Sequence, residues 1–409
     1  MVGGHVTDGA VIVGGSVAGA RVARALRQNG YPHPVTIIEA EDQLPYDKPP
    51  LSKATLAGPE LSPVPLLTAE EAAELDIELR LGVRATRLDL ESAVIRTSDG
   101  QQVPYRELVV ASGVSARRSP WGQPSGVHLL RTLDDAGAVR ASLDRGGDVV
   151  IIGAGFIGSE VASAARKRGL KVTMVDPLPV PMARLLGEEL GGRLTDLHIR
   201  HGVDTRFGVG VETITQDESG PVVALDDGSI LRATTVVIGI GTTLNTNWLD
   251  GSGLALEDGV TCNEFCQAVG QPAVYAVGDT ARWHHRRHSL SIRTEHWTNA
   301  IEQAVCVAWN ITHPDDPRAY QPIEYVWSDQ HDWKIHVLGT PDPLVSPTLI
   351  DDEAADRWVA FWSSENDEIL GGVTVNWSKA SVVLRRAMAT QGTASSIVDK
   401  LTPSEETIA

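Results

Sequence analysis

The chain has 409 residues, 42% of them hydrophobic, enough for two or three domains at roughly 150 residues each. Lys and Arg number 35 against 53 Asp and Glu, and 35 − 53 = −18 argues against nucleic acid as a partner. No stretch approaches ~18 uninterrupted apolar residues, no basic segment with a long apolar core opens the chain, and cysteines number three. A cytoplasmic protein without a membrane span or a signal peptide is expected.

Residues 11–30, VIVGGSVAGARVARALRQNG, read as an apolar strand, a glycine turn and a helix with Ala, Val and Leu on one face. Residues 35–39, VTIIE, supply the next strand, which ends in an acid 39 − 14 = 25 residues after the first glycine. Gly14, Gly15 and Gly19 stand in the turn, with Ser16 where a middle glycine is usual. Residues 44–53, LPYDKPPLSK, are proline-rich and read as a fixed irregular loop carrying Lys48 and Lys53. Residues 54–75 read as helical or irregular. Short strands fill 79–113, with Asp99-Gly100 as a hairpin turn and LVVASG at 108–113 running into small residues.

Residues 148–176, DVVIIGAGFIGSEVASAARKRGLKVTMVD, repeat the opening pattern with Gly153, Gly155 and Gly158 complete. The first glycine permits the tight turn, the second lets backbone approach a pyrophosphate, and the third lets helix pack on strand. The pyrophosphate would sit at the helix N-terminus, where free N–H groups and the dipole favour negative charge. Asp176, 176 − 153 = 23 residues on, can accept from a ribose 2′-OH and would repel a 2′-phosphate, which favours NAD over NADP. Two such units mean two dinucleotides, most economically FAD and NAD.

A helix over 187–200, short strands over 203–231 with Asp227-Gly228 as a turn, and TVVIGIG at 235–241 follow; the last mirrors LVVASG. VYAVGD at 274–279 reads as a strand ending in glycine and acid, and 295–308 as a helix. From 322 onward Trp327, Trp333, Trp358, Trp362 and Trp377 fall among β-type segments, and a basic helix carries Arg385 and Arg386.

GGSVAG at 14–19, PYDKPPLSK at 45–53, GAGFIGSE at 153–160, YAVGD at 275–279, EHWTNAIEQA at 295–304 and WSDQ at 327–330 together resemble the FAD-dependent NADH:ferredoxin reductases of oxygenase systems. The likeness spans nearly the whole chain. It implies an α/β fold with two Rossmann-like, glutathione-reductase-like dinucleotide domains and a C-terminal α/β domain. FAD is expected on residues 1–115 and 243–321, NAD on 116–242, and the C-terminal domain over 322–409. The resemblance assigns FAD contacts to Gly14, Gly15, Ser16, Gly19, Glu39, Lys48, Lys53, Val83, Ala111, Arg117, Asp279 and Trp297. NAD contacts fall to Gly153, Gly155, Phe156, Ile157, Gly158, Glu160, Asp176, Arg184 and Gly241. Lys53, Glu160 and Trp297 are the implied catalytic residues. Departures are Ser16, Lys48 where arginine is usual, Asp176 where glutamate is commoner, and Leu244 where a proline is expected before Asn245. Lysine keeps the charge of arginine and loses its bidentate geometry.

Chemistry of this kind needs stacked rings more than protein acid–base groups. The implied acceptor is a 2Fe–2S ferredoxin, which takes electrons singly and supplies a cytochrome P450 or a dioxygenase. The first cysteine is Cys262, so the positions where disulfide reductases carry a redox pair hold none; Cys262 and Cys266 read as structural or incidental. His284, His285 and His288 lack ordered metal-ligand spacing. From 281 to 294 stand Arg282, Arg286, Arg287 and Arg293 with three histidines and no acid, a basic window suited to an acidic ferredoxin, with Arg385 and Arg386 as candidates to extend it. Two readings stay open beside this one: another acceptor such as rubredoxin or quinone, and a slow-turnover NADH-sensing flavoprotein.

Overall fold

The computed structural model describes residues 9–58, 60–287 and 289–402. They form two compact units. One holds the described residues through Lys48, Pro63–Ser115 and Thr242–Pro322; the other holds Pro49–Ser62, Ala116–Gly241 and the described residues from Ile323 onward.

Each unit is built on a five-stranded, all-parallel sheet with a glycine-turn strand at its centre. In the first unit the order is Val274–Ala276, Glu107–Val110, Ala10–Val13, Val35–Ile38, Ile77–Arg80. In the second it is Val127–His128, Thr235–Ile238, Asp148–Ile152, Lys171–Asp176, Val203–Phe207. The central strands read as continuous apolar runs because both faces are covered; Ala10–Val13 and Val35–Ile38 are buried at every position. A three-stranded antiparallel meander accompanies each sheet, Ala85–Asp89, Val94–Thr97 and Gln102–Pro104 in the first unit and Val211–Asp217, Gly220–Leu225 and Ile230–Arg232 in the second. Asp99-Gly100 and Asp227-Gly228 turn these meanders as the sequence suggests.

The tryptophan-rich C-terminal segment forms a five-stranded antiparallel sheet, ordered Tyr325–Gln330, Trp333–Gly339, Ile369–Val375, Arg357–Ser363, Thr348–Asp352. Helices Ser378–Thr390 and Ala394–Leu401 share a buried core with it. A second core joins Trp333, Trp358 and Trp362 to Leu186, Leu190, Leu194 and Leu197 of helix Ala183–Arg200. That helix is interrupted at Gly187, whose φ of 74° is non-helical, so regular helix resumes where the sequence pattern begins it.

Residues 49–62, expected with the first dinucleotide unit, group with the second. Their short helices Pro49–Ser52 and Ala54–Ala57 lie against helix Phe156–Lys167, and Arg168 Nη1 donates to Leu56 O at 2.7 Å. The basic window is a β-hairpin, Ala281–His285 against Leu290–Ile292. The helix expected from 295 runs Trp297–Thr312, since Glu295 is engaged with Thr242 and Arg293. Among the described residues no helix is long and apolar enough to cross a membrane.

Candidate dinucleotide sites

The two glycine turns share one geometry. Gly14 has φ 109° and Gly153 φ 103°, a region that L side chains rarely adopt, and a Cβ there would lie 2.2 Å from Ala111 O and 2.3 Å from Gly239 O respectively. At the third positions a Cβ on Gly19 would stand 1.8 Å from Gly14 O and one on Gly158 1.9 Å from Gly153 O, so helix and turn approach too closely for any side chain. The middle position is different. Ser16 and Gly155 are the N-caps of helices Val17–Gln28 and Phe156–Lys167, with φ −72° and −79°, both ordinary for any residue. A Cβ on Gly155 would meet nothing within 4 Å. Neither helix start has a side-chain cap or an acid in its first turn, whereas Thr68 and Thr132 close capping boxes elsewhere. Open space before uncapped N–H groups fits a diphosphate.

The strand-ending acids are also held alike. Glu39 accepts from the Gly15 N–H and, at 2.9 Å, from the Glu41 N–H; Asp176 accepts from the Ala154 N–H at 2.7 Å and the Leu178 N–H at 2.8 Å. Each carboxylate is thus fixed beside its glycine turn with acceptor capacity to spare for ribose hydroxyls. Val83 lies against the first acid, its N–H donating to Glu39 O at 2.9 Å, and Ala111, buried, closes behind Gly14. These residues fit FAD on the first unit and NAD on the second.

Around the first turn, a small cleft is lined by Gly15, Ser16, Glu39, Glu41 and Lys48 with residues 43–46. Lys48 bonds Glu41 at 2.7 Å and lies over the Tyr46 ring at 4.5 Å, an engagement with Glu41 that the sequence did not indicate. Asp279 follows Gly278 in a short turn, where the Gly278 N–H donates to buried Gln303 Oε1 at 2.7 Å and Arg293 donates to Asp279 O at 3.2 Å. Trp297 opens its helix half-buried, and its indole N–H donates to Asp47 at 2.7 Å. Asp47 and Gln303 lie within the PYDKPPLSK and EHWTNAIEQA segments, where the sequence reading gave neither a role.

In the second unit, Glu160 is 3% exposed on helix Phe156–Lys167. Lys53 pairs with its Oε1 at 2.8 Å, so two expected site residues 107 positions apart (160 − 53) come into contact. Ser52 and Ser328 donate to the same carboxylate at 2.5 and 2.7 Å; neither was anticipated. Phe156 packs against the tryptophan core, while Ile157 is 42% exposed beside Gly155. Arg184 is exposed in the first turn of its helix. The Arg117 N–H donates to Gly241 O at 2.9 Å, bringing those two residues together.

The basic window acquires acids from elsewhere in the first unit. Arg282 pairs with Glu257 at 3.5 Å, Arg286 with Glu264 at 3.0 Å, and Arg293 with Asp258 at 3.1 Å and Glu295 at 2.6 Å. Arg286 and Arg287 are exposed, as are Arg385 and Arg386 on helix Ser378–Thr390 of the other unit. Burial pushes the Cys262 thiol up to about 12, the Cys306 thiol up to about 11 and Cys266 well above its ordinary value, so none is a thiolate at neutral pH. Among the described residues no group of three or more His, Cys, Asp or Glu is placed to hold a metal ion; His288 lies outside the described residues.

Residues 9–304 match the pyridine nucleotide-disulphide oxidoreductase family, and 325–402 match the reductase C-terminal family. The chain is 34% identical over 379 residues to the ferredoxin–NAD(+) reductase component of the p-cumate 2,3-dioxygenase system of Pseudomonas putida, covering 92% of each protein. It is 31% identical to putidaredoxin reductase of Pseudomonas putida, over 91% of this chain and 89% of that one. The ferredoxin reductase for the CYP199A2 system from Rhodopseudomonas palustris superposes with a TM-score of 0.90 at 31% identity, covering 95% of this chain and 96% of that one. Putidaredoxin reductase in its covalent complex with putidaredoxin gives 0.88 at 28% identity, over 98% and 100%. With both dinucleotide turns intact and no reactive thiol pair, the chain belongs to the pyridine nucleotide-disulphide oxidoreductase family, among its FAD-dependent, NAD-linked ferredoxin reductases.

Proposed function

We propose that this protein passes electrons from NADH, through FAD, one at a time to a 2Fe–2S ferredoxin that supplies a cytochrome P450 or a ring-hydroxylating dioxygenase in the cytoplasm. The observation that carries this reading is the duplicated turn, with Gly14 and Gly153 in the same left-handed conformation and Glu39 and Asp176 bonded in the same way. Bound FAD and NADH supply the redox chemistry, a hydride in and single electrons out.

The chain's residues bind and orient. We assign the FAD domain to 1–115 and 243–321, apart from 49–62, which group with the second unit, the NAD domain to 116–242 and the C-terminal domain to 322–409. Gly14, Gly15, Ser16, Gly19 and Glu39 hold the FAD diphosphate and adenine ribose, with Val83, Ala111 and Arg117 around them. Lys48, Lys53, Asp279 and Trp297 serve the flavin end. Gly153, Gly155, Gly158 and Asp176 hold NAD, Phe156, Ile157 and Gly241 border it, Arg184 meets its phosphates, and Glu160 stands on the nicotinamide side. Exposed Arg286, Arg287, Arg385 and Arg386 steer an acidic ferredoxin, whereas the ion pairs of Arg282 and Arg293 give those two a structural share as well.

The test is direct. Purified protein should carry a yellow FAD spectrum, and NADH should bleach it and drive reduction of a 2Fe–2S ferredoxin followed with cytochrome c. A colourless protein that reconstitution with FAD leaves colourless, or equal rates with and without every ferredoxin offered, would overturn the assignment.

A further inference from the structure

Glu160 is a buried carboxylate with three donors drawn from two distant parts of the chain. Its Oε1 accepts from Lys53 at 2.8 Å and from Ser328 at 2.7 Å, and its Oε2 accepts from Ser52 at 2.5 Å. Ser328 belongs to strand Tyr325–Gln330 of the C-terminal sheet and is wholly buried. Its hydroxyl has one proton to give. Gln330, also wholly buried and two residues on along the same strand face, donates its amide N–H to Ser328 Oγ at 3.2 Å. With Gln330 filling a lone pair, the Ser328 proton is directed at Glu160.

A second tie keeps that alignment. The His331 N–H donates to buried Ser163 Oγ at 2.7 Å. Ser163 stands three residues beyond Glu160 on one helix face, and His331 three beyond Ser328. Strand and helix are therefore registered at two points, and the serine cannot slip along the helix without breaking both.

We propose that Ser328 is a positioning residue for Glu160, so that the C-terminal sheet sets the direction of the acid on the nicotinamide side. The proposal rests on the reading of Glu160 given above. A hydrogen bond donated to a carboxylate by a buried, fixed hydroxyl holds one rotamer, and losing it frees that rotamer.

The experiment is NAD+ titration of the oxidised flavoprotein, read from the flavin absorbance, for the unaltered protein and for S328A, S328T and E160Q. S328A should weaken NAD+ binding about tenfold, the scale of a lost hydrogen bond to a charged group. S328T keeps the hydroxyl and should restore the affinity, a rescue that a mere packing defect would not show. S328A with unchanged affinity, or S328T as weak as S328A, beside an E160Q protein that loses affinity, would overturn the proposal alone. An E160Q protein that binds NAD+ as the unaltered one does would remove the reading of Glu160, and the proposal with it.

Discussion

Acid should loosen the second unit at one identifiable place. His198, wholly buried near the end of helix Ala183–Arg200, has Nδ1 3.0 Å from His331 Nε2. His331 stacks on His201 with centroids 4.3 Å apart, and His201 Nε2 lies 2.9 Å from Asp332. Arg200 and Lys167 add nearby positive charge. A bond between two imidazoles needs one donor and one acceptor, so a proton that makes both rings donors abolishes it. Burial, and then His201, push His198 from an ordinary 6.5 down to about 4; burial and the neighbouring histidines lower His331 further. Because the folded values are depressed, this stability is complete above the unfolded pKa of about 6.5 and is lost as pH falls toward the folded values. For His198 alone the loss by pH ~5 is about 2 kcal/mol, and about 3 kcal/mol when fully developed. His331 shares the same proton and is not added. The comparison is between the unaltered protein and a double variant, His198→Met with His331→Asn. Asparagine tolerates the left-handed φ of 54° at 331. Urea unfolding is followed at pH ~7.5 and ~5 by fluorescence, since Trp333 and Trp358 pack on this helix. Half-buried His128 and His336 are also lowered by burial and titrate in both proteins, so they cancel in the difference. The unaltered protein should lose about 2 kcal/mol more than the variant over this interval. Identical losses would refute the reasoning.

Three further outcomes are expected. Asp176→Asn keeps an acceptor for the Ala154 or Leu178 N–H but removes the charge facing a 2′-phosphate, and the ratio of kcat/KM for NADH over NADPH should fall about tenfold, a repulsion of about 1–2 kcal/mol; an unchanged ratio would show that Asp176 does not select. Gln303→Leu strands the Gly278 N–H in the core at a cost of about 1–3 kcal/mol, so FAD should dissociate about tenfold more readily in fluorescence titrations of the apoprotein, with Gln303→Glu retaining the acceptor. Arg286→Glu sets two carboxylates face to face with Glu264 on an exposed surface, changing stability by less than about 1 kcal/mol, while ferredoxin reduction should slow and lose salt dependence with flavin reduction by NADH intact. Unaltered ferredoxin kinetics in that variant would exclude Arg286 from docking.

What the sequence revealed and what it hid divide along a physical line. The turns were legible because first and third glycines answer to steric demands made within a few residues, and Glu39 and Asp176 end strands that pair in register with the turn strands. Contacts made through space left no such trace. Asp47 meets Trp297 across 250 positions, Ser328 meets Glu160 across 168, and nothing in either local pattern calls for the partner. The basic window shows the same limit in reverse. It contains no acid along the chain, yet Glu257, Asp258 and Glu264 arrive from a neighbouring segment and offset Arg282, Arg293 and Arg286. Charge counted along a segment is not charge presented on a surface.

The departure at Ser16 follows from the same steric argument. Only the first glycine of each turn adopts positive φ, and only the third is crowded by the turn carbonyl; the middle residue is an extended N-cap facing open space. A serine at that position therefore costs no backbone strain, and its hydroxyl makes no capping bond. The first turn thus offers one hydroxyl in addition to its backbone N–H groups, while the second turn at Gly155 offers backbone alone and admits the closer approach. Replacing Ser16 by glycine removes a donor without altering the turn, so FAD affinity should fall by no more than one neutral hydrogen bond, about 1 kcal/mol. Replacing Gly14 by alanine, with Ala111 O 2.2 Å from the new Cβ, should abolish FAD binding. Equal losses in the two variants would mean that the turn does not hold FAD through its backbone.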